Sequence, residues 1–246
     1  MSAGKGDNYR KVDGDKFRSN FDKIFSKKPI YLVGDHHGEW GDLFHRLDDF
    51  YISSCYLISV GDLGVGFIKD SKQIRQFENL NQSFKKRDIQ FLGVKGNHDN
   101  PSYFPTKLSH FELLADYSFR KINGKDFLFV GGAISVDRKR RKEGLTYWKD
   151  EVFKLDKRRI KKCDVLITHS SPTWNGPTEK RNIEYWCVND STLWDELKEE
   201  RNLHSQLISR AKPDLHFCGH FHSSYYAENE GTKSTILDIL EVKEIK

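Results

Sequence analysis

No two cysteines in this chain stand close enough to form a CxxC pair: Cys55, Cys163, Cys187 and Cys218 are the only four among 246 residues. Thiols so far apart argue against a thiolate metal site and for reduced cysteines, the habit of intracellular proteins. Long apolar runs are missing too, since nothing approaches the roughly 18–20 residues that a membrane span needs. The first residues, MSAGKGDNYRKVDGDKF, hold no apolar segment of the kind a secretory leader carries, so a cytoplasmic protein without a membrane partner is expected. Internal repeats and low-complexity linkers are absent. What is left is 37% hydrophobic and 31% charged, the balance of a globular protein with one sizeable core. A basic tail over residues 1–28 and one domain over residues 29–246 are expected.

The net charge of +5 is uneven. Between Asp137 and Lys162 stand twelve Lys and Arg against five Asp and Glu, so the rest of the chain is slightly acidic. Such a strip is either a solvated face or a landing strip for a polyanion.

From residue 29 onward, β-branched and aromatic runs alternate with helical patterns. Strands are expected at Ile30–Gly34, Tyr56–Gly61, Ile89–Lys95, Asp126–Ile134, Asp164–Thr168, Leu215–Gly219 and Thr235–Val242. Trp40, Leu43, Phe44, Leu47, Phe50 and Tyr51 recur at helical spacing and form one apolar face. Ile74, Phe77, Leu80 and Phe84 suggest a second helix; Leu193, Trp194, Leu197, His204, Leu207, Ile208 and Ala211 suggest a third. Asn123-Gly124 is a two-residue hairpin signal, because both positions tolerate positive φ. The fold class is α/β, with some antiparallel pairing in the second half.

The chemistry collects where these strands end. The first runs into Asp35-His36-His37, the second into Gly61-Asp62 and the third into Gly96-Asn97-His98-Asp99. "DVLIT" ends in His169, and "LHFC" ends in Gly219-His220-Phe221-His222. Ligands of open α/β sheets gather at the carboxyl ends of strands, so these groups are expected to converge. Imidazole, carboxylate and carboxamide without thiolate suit Mn, Fe, Zn, Ni or Co, while Mg prefers more oxygen. In an extended segment residues i and i+2 point the same way. Asp35 and His37 can then reach one ion, as can His220 and His222, which leaves His36 either to pack or to support a ligand from behind.

"GDHHG", "GDLGVG", "GNHD", "THSSP" and "GHFH", in this order over residues 30–222, resemble the calcineurin-like metallophosphoesterase superfamily. The resemblance implies a four-layer β-sandwich flanked by helices, with a two-metal site at one edge. It implies Asp35, His37 and His222 on one metal, most commonly Mn, and Asn97, His169 and His220 on the other. Asp62 would bridge them, His98 would be the catalytic imidazole and Asp99 would orient it. The implied activity is hydrolysis of phosphate mono- or diesters by a dimetal-bound hydroxide, with His98 protonating or hydrogen-bonding the leaving alkoxide. A phosphorylated small molecule, a nucleotide or a nucleic acid fits as substrate. A nuclease or nucleotide diesterase, or a non-catalytic scaffold on the same site, are the alternatives.

One branch of the family is disfavoured. Ser/Thr protein phosphatases carry a second acid and an arginine in the motif that here reads "GDLGVG", where Val65 and Gly66 stand. "GGAISVDRKRRKEGLTYWKDE" resembles prokaryotic and phage-type members, and Arg138 or Arg141 can supply the missing cation. In the loop after His169, Trp174, Tyr185 and Trp186 either stack on a flat leaving group or pack the loop onto the body.

Overall fold

The computed structural model describes residues 27–177 and 179–245; the expected tail over residues 1–28 lies, up to residue 26, outside them. Two six-stranded mixed sheets form the centre. The first holds β1 (Ile30–Val33), β2 (Tyr56–Ser59), β3 (Gln90–Gly93), β4 (Thr106–Lys107), β5 (Phe111–Leu113) and β12 (Val242–Ile245), in the order β12-β1-β2-β3-β5-β4. The second holds β6 (Ser118–Ile122), β7 (Lys125–Val130), β8 (Val165–Thr168), β9 (Leu215–Cys218), β10 (Tyr225–Asn229) and β11 (Thr232–Ile236), in the order β10-β11-β9-β8-β7-β6.

Alternation along the strands builds three packed interfaces from this pair. Leu32, Ile58 and Leu92 of the first sheet meet Phe127, Phe129, Val165, Ile167 and Phe217 of the second in the central core. Their neighbours Val33, Leu57 and Phe91 turn the other way, onto α1 (Trp40–Asp49) and α2 (Asp70–Lys86). Leu128, Val130 and Leu166 turn outward from the second sheet onto Leu207, Ile208 and Ala211 of α4 (Leu193–Ala211). The result is the four-layer, helix-flanked α/β arrangement. A one-turn helix, α3 (Glu184–Cys187), sits in the loop before α4.

The apolar patterns overshoot at element ends. Phe50 and Tyr51 fall beyond α1 and are exposed, and Ile74 is exposed on α2, whose buried face uses Gln73 and Asn81 instead. The run expected as one strand over Thr235–Val242 is a crossover. Ile236 ends β11 in one sheet, Val242 starts β12 in the other, and fully buried Leu237 fills the central core between them. Leu240, with φ of 53°, makes the bend. Asp126–Ile134 likewise shortens to β7, because the chain turns at Gly131-Gly132. The Asn123-Gly124 hairpin forms with φ of 54° and 88°.

Strands β1, β2 and β3 run parallel, as do β7, β8, β9 and β11. Their carboxyl ends are therefore brought to one edge of the sandwich. Backbone bonds join the segments there: His37 N–H donates to Asp62 O (2.8 Å), Gly219 N–H to His169 O (3.0 Å) and Gly132 N–H to Lys95 O (2.7 Å).

Candidate metal centre

Two carboxylates, four imidazoles and one carboxamide meet at this edge. Asp35 follows β1 and is fully buried; its Oδ2 accepts from His220 N–H (2.8 Å), while its Oδ1 has no hydrogen-bond partner. Asp62, after β2, accepts from His98 N–H through Oδ1 (2.7 Å) and turns Oδ2 to within 3.8 Å of His37 Nε2. His222 Nε2 lies 3.5 Å from Asp35 Oδ2 and 2.9 Å from His37 Nε2. One ligand atom from each of Asp35, His37, Asp62 and His222 falls within 4.8 Å of the others.

The remaining donors meet on the other side of Asp62. His169 donates from Nδ1 to Val60 O (2.8 Å), so its Nε2 faces Asn97 Oδ1 (3.0 Å) and Asp62 Oδ1 (3.2 Å). His220 Nδ1 lies 2.8 Å from the same Asn97 oxygen. That oxygen points inward because the Asn97 amide nitrogen donates to Ser135 Oγ (3.1 Å).

This arrangement asks for positive charge. Burial opposes a charge on His169, yet Asp62 and Asp35 outweigh it and raise the imidazole to about 10. An unpartnered carboxylate oxygen, two imidazole nitrogens face to face and acids tightly enclosed are the features a divalent cation satisfies, and an all-N/O donor set suits a first-row metal. The glycines of the motifs make room: a Cβ at Gly96 would stand 2.0 Å from Asp62 Oδ1, and one at Gly219 2.0 Å from Asp35 Oδ1.

The backbone reaches this geometry by a route that simple alternation does not describe. His37, Asp62, His220 and His222 have φ of 46°, 51°, 73° and 49°. None of them is extended, so Asp35 and His37 share a cluster through a left-handed turn. His220 and His222 part company, one to Asn97 and one to Asp35 and His37. Left-handed non-glycine residues are strained, and such strain gathers at functional sites. His36 turns away as a packing residue: it is buried, its ring lies 4.1 Å from that of Trp40, and neither nitrogen has a partner.

A family model described as Calcineurin-like phosphoesterase matches residues 28–224. The chain belongs to this family. No curated protein matches it. Among solved structures it is similar to GAP50, the anchor in the inner membrane complex of Plasmodium, with 13% identity, TM-score 0.42, and 86% of this chain and 72% of that one covered. It is also similar to a novel archaeal phosphodiesterase (13%, TM-score 0.36, 88% and 98% covered). The phosphopantetheinyl hydrolase of Mycobacterium tuberculosis matches at 14% identity and TM-score 0.40, with 87% and 90% covered.

In this calcineurin-like phosphoesterase, Asp99 does not reach the ring of His98. Its two oxygens accept from Leu63 N–H (3.1 Å), Val65 N–H (3.0 Å) and Gly96 N–H (2.8 Å), stapling the second and third motifs together. The His98 ring instead meets Arg141, whose Nη2 stands 3.4 Å from Nδ1. Arg141 is largely buried and also donates from Nη1 to Asn97 O (3.2 Å) and Ser135 Oγ (2.6 Å). Arg138 is elsewhere, bonded to Asp190 (2.6 Å) and Glu196 (2.5 Å). Trp174 is also elsewhere: it packs on the outer core of the second sheet and lines a separate cavity with Ser205 and Ile208. Packing is thus its observed role. Val65 is buried, and a Cβ at Gly66 would stand 2.2 Å from that of Asn100, so the second motif has no space for a guanidinium. Two residues of the site escape motif reading, Ser135 and the buried Glu151 that accepts its hydroxyl proton. Their one signal is position, since Ser135 follows β7 as the other donors follow their strands.

Proposed function

We propose that the chain hydrolyses phosphate mono- or diesters at this centre with two divalent cations, one held by Asp35, His37 and His222 and one by Asn97, His169 and His220, with Asp62 between. The observation that carries this is Asp62 itself, a buried carboxylate whose two oxygens face the two groups of donors. Bound cations supply Lewis acidity toward phosphoryl oxygens and lower the pKa of a water toward neutrality.

The chain's own residues do the rest. Val60 O holds the Nδ1 proton of His169, so Nε2 is the nitrogen that would give up its proton to a cation. Glu151 holds Ser135, and Ser135 aims the Asn97 carboxamide. Arg141 takes the place of the absent motif arginine as the cation beside the reacting phosphoryl group. Because Nδ1 of His98 faces that guanidinium, its proton sits on Nε2, which then donates toward the leaving oxygen. The segment of residues 131–151, whose resemblance to prokaryotic and phage-type members is the ground for placing the chain among them, supplies Ser135, Arg141 and Glu151 together.

Metal analysis with an ester panel tests this. Reconstituted with Mn, Fe, Zn, Ni, Co or Mg, the protein is expected to bind two ions per chain and to cleave an aryl monoester or diester until a chelator is added. Asp62→Asn is expected to lose metal and activity together. Two ions per chain and near-normal turnover in that variant would overturn the assignment. A wild type that holds its ions but cleaves neither ester would be a scaffold.

A further inference from the structure

Beside the centre lies a cavity of about 670 Å³, within the range of small-molecule sites. His220 and His222 form one side of it, so an occupant is next to the donor cluster. Trp186, Trp194 and Phe221 line it with ring surface. The cations nearby are already engaged. Lys198 pairs with Asp195 (2.6 Å), and the Arg201 guanidinium donates to the carbonyls of Pro172 (2.9 Å), Asn175 (2.5 Å) and Pro177. The wall also holds a carboxylate, Glu200, 4% exposed, whose Oε2 is buried without a partner. Arg140 lies over Tyr185 (4.5 Å) and Trp186 (5.1 Å), bracing that side of the cavity.

Resting on the phosphoesterase reading, we propose that this cavity is the leaving-group subsite and takes a flat, uncharged ring of nucleobase size bearing an N–H donor. Ring walls reward stacking on any π-face. Glu200 Oε2 lacks a partner, which is costly for a buried oxygen, and burial pushes its carboxyl up to about 7; an N–H on the occupant would pair this oxygen and favour the ionised form. A second phosphate or a carboxylate on the occupant would face Glu200, while Arg201 is held by backbone carbonyls and Lys198 is shared with exposed Asp195. The substrate is therefore a phosphoester whose single phosphoryl group lies on the centre while its ring fills the cavity.

The test pairs adenosine 5′-phosphate with ribose 5-phosphate, which share everything but the ring, and adds intrinsic tryptophan fluorescence. Wild type with Mn is expected to prefer the ring-bearing ester by about tenfold or more in kcat/KM, and Trp186→Ala to lower that ratio by about tenfold. Trp194→Ala serves the same purpose should the first variant fail to fold. Adenosine alone, without metal, is expected to quench wild-type fluorescence saturably and to bind more tightly than purine riboside, which lacks the amino donor. Equal affinity for those two would remove the part assigned to Glu200. Equal rates on both phosphates, with no quench by adenosine, guanosine, cytidine or uridine, would overturn the subsite and leave the phosphoesterase reading standing. A saturable quench with no hydrolysis of either phosphate or of the aryl esters would do the reverse.

Discussion

Arg141 Nη2 stands 3.4 Å from His98 Nδ1, and Phe67 lies roughly parallel to the same ring with centroids 6.5 Å apart. A protonated imidazole would turn an N–H toward the guanidinium. The geometry therefore favours a neutral ring that donates from Nε2 and keeps its proton, where the resemblance leaves open whether His98 protonates the leaving alkoxide or only hydrogen-bonds it. The two roles separate by leaving group, because a proton donor matters most when the leaving oxygen is a poor one. His98→Ala is expected to bind as much metal as wild type and to lose about 10²–10³-fold in kcat on alkyl and nitrophenyl phosphates alike. A loss much steeper on the alkyl ester would restore proton transfer. That these seven side chains converge was legible because Asp, Asn and His recur at strand ends next to glycine. Ser135 and Glu151 were not, since serine and glutamate are common residues and theirs is a role acquired through burial against partners 38 and 16 positions away.

At the scale of elements, residues 138–142 at the head of the basic strip resolve into separate jobs. Arg138 ties its 3-10 turn to Asp190 and to Glu196 of α4, Arg141 serves the centre, and Arg140 braces the aromatic rim, leaving Lys139 and Lys142 exposed. Arg138→Ala is expected to destabilise the fold by about 2 kcal/mol in urea unfolding, because it strands the buried Asp190 carboxylate. The double variant Lys139→Glu/Lys142→Glu is expected to leave KM for a single-stranded oligonucleotide within about threefold and its salt dependence unaltered. A tenfold rise in KM, with a shallower salt slope, would mark a landing strip for a polyanion instead. Charge counting could not divide the strip, because sequence shows how many cations there are and not which carboxylates face them. Strands were legible where apolar residues are continuous, and misread where continuity deceives: Leu237 extends an apolar run but belongs to the crossover between sheets. The hairpin of β10 and β11, polar on its outer strand, offered no apolar run at all.

For the whole molecule, burying neutral histidines ties stability to pH. His36 sits against Trp40, and His216 lies in β9 between Thr168 Oγ1 and Ser234 Oγ, each 2.8 Å away. Burial lowers both rings to about 3, with His37 adding to the effect at His36. The unfolded chain protonates them near 6.5, so between about pH 6.5 and 3 it binds more protons than the folded one. The stability they contribute is full above that window and is lost as pH falls through it. Each ring is expected to withdraw about 2 kcal/mol between pH 7 and pH 5. His36→Leu isolates one of them, since His36 makes no hydrogen bond that leucine would break. Urea unfolding of both proteins in chelator, at pH 7 and pH 5, removes the metal's own proton linkage from the comparison. The variant is expected to lose about 2 kcal/mol less than wild type over that interval and, assayed with Mn at pH 7, to bind as much metal. Equal losses would mean that His36 takes up its proton in the folded state, and a fall in metal content would make it, and not only His37, part of the centre.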